Sequence, residues 1–306
     1  MPKLRQFEYL VALSRELHFR RAAERVNVTQ PTLSSQIQEL ERKLNAPLVE
    51  RGPTSVMLTP LGRESAGRAR RILSDVQDIV DLAASSQHGF EGTIRLGVPP
   101  TLGPYLLPHI VPELHAIYPN LKLYVQEGKP FDLQMDLQAG NFDLVVSPLP
   151  INHSDLEVER LFREPLQVVA APDHPLALKE YIERADLAGQ KVLAMEKGHH
   201  LHDQVVQLCS DFDAVLLRDY EGTSLDTLRL MVGMGVGLAF LPALYVLSEI
   251  GNRGEISVLN LKNSNLYRQI GLTWRKRSVH AALFNEVAEL IRTISENKLP
   301  DIAVIR

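Results

Sequence analysis

The chain has 306 residues, 45% of them hydrophobic, and a formal net charge of −4, enough length and apolar content for two or three domains with sizeable cores. No apolar run approaches the roughly 20 residues that span a bilayer, and Met1-Pro2-Lys3-Leu4-Arg5-Gln6 lacks the apolar stretch of a secretory leader, so the expectation is a cytoplasmic protein with no membrane partner. The single cysteine, Cys209, excludes an intrachain disulfide and a cysteine-rich metal site, and no cofactor is expected.

Leu4, Phe7, Leu10, Val11 and Leu13 predict a first amphipathic helix. Ala22 and Ala23, with no bulk beyond Cβ, open a short second helix that ends near Val26. Asn27 and Val28 make a turn, because Asn tolerates left-handed backbone angles. Thr29 or Gln30 caps the third helix, and Pro31 suits its first turn, where a missing N–H costs nothing. Leu33, Ile37, Leu40 and Leu44 form its buried stripe, and Asn45 is placed to end it. Between them stand Thr32, Ser34, Ser35, Gln36 and Gln38, short hydroxyls and amides of the kind that bond to base edges and phosphates in a major groove. An ordinary amphipathic helix pair fits the same spacing.

Two neighbouring features favour nucleic acid. Leu48 to Pro60 reads as two short strands around Gly52-Pro53, a small wing that would carry Arg51 to the backbone or minor groove. Residues 1–72 hold 13 Lys and Arg against 7 Asp and Glu, leaving the remaining residues at a net −10. A basic end on an acidic body is an electrostatic footprint for double-stranded DNA.

Residues 60–87 read as one long helix whose apolar stripe (Leu61, Ala69, Ile72, Leu73, Val76, Ile79, Val80, Ala83) is too narrow for a globular core and suits a two-helix dimer seam. A lone helix packed on its own domain is the alternative. The polar, glycine-bearing run from Ser85 to Gly92 predicts a hinge. Beyond it, strands (93–98, 121–125, 144–146, 167–171, 191–194, 215–217, 270–274) alternate with helices (106–118, 133–139, 223–233, 281–294), the pattern of a parallel α/β sheet. Gly233, Gly235 and Gly237 follow a helix rather than a strand, which argues a tight turn before Leu238 and not a dinucleotide site.

Ligands in such folds sit at strand ends against helix starts. Three segments fall there: Thr101 and Leu102, Ser147, and Thr223-Ser224. Hydroxyls at these places also serve as plain helix caps; three on one cleft favour a small anion or polar molecule. His199, His200, His202 and Asp203 cluster at another helix start, but adjacent histidines need not converge on a metal and no fourth ligand is evident. His200 instead shapes an effector pocket or titrates near neutral pH.

Leu4-Arg5-Gln6-Phe7, Ala22-Ala23, Thr29-Gln30-Pro31-Thr32-Leu33-Ser34, Gln36-Ile37, Leu40-Glu41, Leu48, Arg51 and Thr59-Pro60-Leu61-Gly62 together resemble the winged helix-turn-helix of LysR-type transcriptional regulators. His18 departs from the Ser or Gly cap usual in that family before its second helix. The resemblance implies Gln30, Pro31, Thr32, Ser34, Ser35 and Gln36 in the major groove and Arg51 on the wing. It implies a dimerising helix at 60–88 after a head at 1–59. The effector domain, 89–306, would then be two-lobed and periplasmic-binding-protein-like, with lobe I at about 93–166 and 266–306 and lobe II at about 167–265. It implies a homodimer assembling to a homotetramer on a two-fold promoter site, contact with RNA polymerase, and a small-molecule effector in the cleft.

Thr101 to Ile110, Ala185 to Gly189, Gly198-His199, Asp203-Gln204, Cys209, Thr223-Ser224-Leu225 and Thr227-Leu228-Arg229 further resemble the OxyR-like, peroxide-sensing subfamily. That subfamily has a reactive cysteine directly after the Gly-His pair, where this chain has His200, and a hydroxyl residue where it has Pro130. Cys209 matches the resolving cysteine, so the intramolecular disulfide switch is missing its first thiol. A residual redox role for Cys209, through a sulfenic acid or an intermolecular disulfide, competes with a buried structural cysteine. The reading of a different class is a cytoplasmic small-molecule-binding protein or enzyme with a helical appendage; nothing in the chain resembles a nucleophile–base pair.

Overall fold

The computed structural model describes residues 1–51, 56–88, 92–151, 153–250, 254–263, 265–299 and 302–305, with the backbone alone at Arg51, Asp78 and 81–88. The wing turn at Gly52-Pro53, the Arg51 side chain and 89–91 of the expected hinge therefore lie outside the described residues, while its first part, 85–88, continues the helix that begins at Pro60. The chain divides into two compact units, Met1–Gly89 with Gln138–Asn141, and Phe90–Leu137 with Phe142–Arg306. No described helix is long and apolar enough to cross a membrane.

The first unit opens with α1 (Leu4–Glu16), α2 (Phe19–Arg25) and α3 (Gln30–Leu44), followed by the two-stranded β1 (Val49–Arg51) and β2 (Val56–Leu58) and the 29-residue α4 (Pro60–His88). Leu10, Leu13, Ala22, Ala23, Leu33, Ile37, Leu40 and Leu48 close one core. The buried face of α1 is turned from the one expected: Leu4 is 44% exposed, while Gln6 is buried at 1%. Leu44, expected in the α3 stripe, is 40% exposed, because the helix ends there at left-handed Asn45. Ile72, Ile79 and Val80 of α4 are exposed large apolar residues.

In the second unit β3 (Gly92–Val98), α5 (Gly103–Ile117), β4 (Leu121–Glu127), α6 (Pro130–Gln138) and β5 (Leu144–Pro148) alternate as expected. Then comes β6 (Leu156–Ala170), three times longer than the strand expected at 167–171. Its charged first half, Glu157 to Glu164, hides the strand signal, and Pro165 argues against a continuous ladder. Pro165 stands where the strand passes from one sheet into the other. Up to it, β6 pairs with β11; from Leu166 it pairs with β9.

The second sheet continues through β7 (Lys191–Met195), α7 (His200–Asp211), β8 (Val215–Gly222), α8 (Leu225–Gly233), β9 (Leu238–Pro242), the short α9 (Ala243–Tyr245) and β10 (Ser257–Leu259). The chain then returns as β11 (Tyr267–Arg275), α10 (Ala281–Lys298) and β12 (Ala303–Val304). Strand order is β4-β3-β5-β11-β6-β9-β7-β8, with β10 and β12 beside β6. Strands β3, β4 and β5 are parallel, as are β7, β8 and β9, while β11 and β6 run antiparallel to their neighbours. A lobe thus forms on each side of the β6 crossing. One core gathers on α5 and α10, around Trp274 and Phe284. The other gathers on α7 and α8, around Phe240 and Tyr245.

Candidate functional site

The residues expected to read DNA stand at the start of α3. Asn27 takes φ +54° and turns the chain. Thr29 caps α3, its Oγ1 accepting from the Thr32 amide at 3.3 Å and lying 2.8 Å from the Thr32 hydroxyl. His18 fills the cap position of α2, its Nδ1 accepting from the Arg21 amide at a long 3.5 Å. Gln30, Pro31, Thr32 and Ser35 are exposed, whereas Ser34 and Gln36 are half-buried. Ser35 donates its hydroxyl to the Thr32 carbonyl at 3.0 Å, so only its lone pairs face outward. The rest of the head holds this helix in place. Glu41 accepts from the amides of Leu48 and Val49 at 2.8 and 3.0 Å, tying α3 to β1.

In the second unit the charged centre is one that sequence patterning missed. Arg268 on β11 is 2% exposed and Glu164 on β6 is wholly buried. Arg268 Nε donates to Glu164 Oε2 at 2.7 Å, Nη1 to the Thr101 hydroxyl at 3.0 Å and Nη2 to the Thr101 carbonyl at 2.7 Å. The other carboxylate oxygen of Glu164 accepts from the Leu244 amide at 3.0 Å. One buried network therefore joins the loop before α5, both strands at the crossing and the start of α9. A signal for it exists: Arg268 lies in register with Ile270, Leu272 and Trp274, and Glu164 with Phe162, Leu166 and Val168, on strand faces that are otherwise apolar.

Of the expected effector residues, Thr101 is bonded into this centre and His200 lies within range of its Arg268 charge. His200 is the first residue of α7, half-buried, and its Nδ1 is buried without a hydrogen-bond partner. Burial pushes its pKa below the ordinary histidine value, the Arg268 charge adds to this, and Asp203 opposes it. Ser147 is buried on β5, opposite Gly271. Leu102 is fully buried in the α5 core and its amide is spent on the Pro99 carbonyl at 3.0 Å, so it offers a ligand nothing. Thr223 is exposed, and Ser224 caps α8, accepting from the Thr227 amide at 3.1 Å. No contact ties either residue to Arg268 among the described residues.

The histidine cluster is dispersed. His202 Nδ1 meets the Met195 carbonyl at 2.7 Å, and His199 Nε2 lies 3.7 Å from Glu196, which pairs with Lys129 at 2.9 Å. Cys209 is 4% exposed in the core of its lobe, and burial pushes its thiol up to about 11. A thiolate, the form that reacts with peroxide, is scarce there at neutral pH.

A pH effect follows from His200. Between the ordinary histidine pKa of about 6.5 and its lowered folded value, the unfolded chain binds a proton that the folded chain refuses. Stability is therefore lost as pH falls below about 6.5. His200→Gln is expected to make that loss shallower. His199, lowered by burial first and by Lys129 next, keeps part of it. Melting curves from about pH 7.5 to 5.5 check this, and an unchanged slope in the variant shows that His200 is not held neutral.

Residues 4–63 match the family described as "Bacterial regulatory helix-turn-helix protein, lysR family", and residues 87–295 match "LysR substrate binding domain". The chain is 39% identical over 290 residues, covering 94% of each protein, to "DNA-binding transcriptional dual regulator OxyR" of Escherichia coli K12. It is 37% identical over 290 residues, covering 94% of this chain and 95% of the other, to "Hydrogen peroxide-inducible genes activator" of Pectobacterium carotovorum. Among solved structures, a full-length OxyR variant of Pseudomonas aeruginosa superposes with a TM-score of 0.79 at 33% identity, over 95% of this chain and 94% of that one. The chain belongs to the LysR family of transcriptional regulators, on its OxyR-like branch: it is a DNA-binding regulator with an effector-binding domain, and not an enzyme.

Proposed function

We propose that this regulator answers to a small polar effector held at the Arg268 centre, and not to peroxide through a thiol pair. The observation that carries the reading is the orphaned Nδ1 of His200, an imidazole within range of the charge of Arg268, which itself bonds to Thr101. A buried polar atom without a partner costs about 1–3 kcal/mol, and a ligand group that bonds to it recovers that cost. His200 stays neutral there, so Nδ1 donates or accepts according to tautomer. Ser147 lies on the neighbouring β5. Thr223 and Ser224 would reach the effector only from the start of α8.

Effector binding at a crossing shared by both lobes would bias their arrangement, and the regulator would transmit this as a population shift between two DNA-bound states. The exposed apolar side chains of α4 support a dimer seam, and two dimers would form the tetramer. Gln30, Pro31, Thr32, Ser34, Ser35 and Gln36 would enter the major groove, with Arg51 on the wing and RNA polymerase beside the complex in the cytoplasm. Half-sites would lie about one helical turn apart.

The test is a footprint of the reduced full-length protein on its own upstream DNA, with and without peroxide. The footprint is expected to stay unchanged with peroxide, in the wild type and in Cys209→Ser alike. A footprint that shifts with peroxide, and stops doing so in Cys209→Ser, would assign the signal to the lone thiol and overturn the reading.

A further inference from the structure

We propose that Gln36 meets the duplex only as a hydrogen-bond donor, because Gln6 beneath it fixes which end of its amide faces out. The proposal rests on α3 being the recognition helix. Gln6, on α1, is 1% exposed. Its Oε1 takes two hydrogen bonds, from the Lys3 backbone amide at 3.0 Å and from Lys43 Nζ at 3.2 Å. An amide N–H and an ammonium group only donate, so the Gln6 atom facing them is oxygen. Its Nε2 must then be the atom 3.2 Å from Gln36, and it donates to Gln36 Oε1.

The orientation of Gln36 follows by the same rule. The nitrogen of Gln6 cannot accept, so Gln36 turns its own oxygen inward and leaves both Nε2 hydrogens outward. Glu39 also draws Lys43, at 3.7 Å, and helps to hold it in place. A free glutamine reads adenine with both halves of its amide, accepting from N6 and donating to N7. Gln36 has only the donating half. Its complement is an acceptor: guanine O6, a purine N7 or thymine O4 on a base edge, or a phosphate oxygen.

Two substitutions invert the outward atom without changing shape. Gln36→Glu keeps an oxygen for Gln6 and turns the outward donor into a charged acceptor. Gln6→Glu keeps the oxygen that serves Lys3 and Lys43, but now presents an acceptor to Gln36, whose amide must flip and show its oxygen to the duplex. Both full-length variants are expected to bind the wild-type site about tenfold more weakly, with melting temperatures close to the wild type. In glutamine-labelled full-length protein, the Gln36 side-chain amide protons are expected to exchange fast, and to become protected in Gln6→Glu.

Binding selection from randomised duplexes separates the two acceptors. A base-edge acceptor makes Gln6→Glu prefer an amino-bearing base, adenine or cytosine, at one position; a phosphate acceptor weakens all sequences alike. Wild-type affinity and preference in both variants, or Gln36 protons that do not respond to Gln6→Glu, would overturn the proposal. Ser35→Glu, which charges the exposed face of α3, is the control. If DNA binding survives it, the recognition-helix reading itself has failed.

Discussion

Glu164→Leu is expected to destabilise the effector domain by about 3–5 kcal/mol, the usual cost of leaving a buried charge without its partner. The side chains of Glu164 and Arg268 are 0% and 1% exposed, so water does not replace the lost carboxylate. The Leu244 amide loses its acceptor in the same step. For a domain of this size the melting temperature falls by on the order of 10 °C. Trp274 is the one tryptophan of the chain and lies in the core of the lobe that contains β11, so its fluorescence reports the transition. The double change Glu164→Leu with Arg268→Met is expected to recover most of the loss, since an apolar pair often replaces a buried ion pair at little cost. It would still silence the effector response, because Thr101 loses both of its bonds from Arg268. A single-variant loss below about 1 kcal/mol would mean that the charge finds another partner.

Gly62→Ala is expected to abolish specific DNA binding while the Trp274 transition stays unchanged. Alanine in place of a helical glycine normally stabilises by up to about 1 kcal/mol. Here the sign reverses. A Cβ on Gly62 would sit 2.0 Å from the Leu48 carbonyl oxygen and 2.9 Å from its carbon. Leu48 cannot retreat, because Glu41 holds its amide and the Thr59 amide donates to its carbonyl at 3.0 Å. Overpacking of this kind costs about 1–3 kcal/mol. The movement it forces separates α4 from Leu48 and the wing, and disturbs the Leu48 tie to Glu41 of α3. Wild-type affinity in a gel-shift titration of the variant would show that the head absorbs the methyl group without moving α3.

Local chemistry was easiest to read where it governs single turns. Asn27 and Asn45 have the left-handed angles expected of them, and Thr29 caps α3, because those outcomes depend on neighbours in sequence. The long strand β6 was not legible beyond its apolar end. Its first half is shielded by β11 and β12, which arrive more than 90 residues later in the chain, so charged residues there do not mark a loop. The Arg268–Glu164 pair is missed for a related reason: each residue looks like a surface charge until the other is found 104 positions away. Hydroxyl counting at helix starts picked out Thr101, which bonds to Arg268, and equally Ser224, whose hydroxyl caps its own helix.

The position of β11 has a consequence for how the chain is made. The lobe built on β7, β8 and β9 draws its core almost wholly from residues 166–261. The lobe begun earlier, at β3, needs β11 between β5 and β6 before its sheet is continuous. On the ribosome, then, the lobe that begins second can finish first, while β5 and the early part of β6 wait with unpaired edges. A transcript truncated before Tyr267 would therefore leave one folded lobe attached to an open, sticky sheet, which is a poor regulator and a good substrate for quality-control proteases.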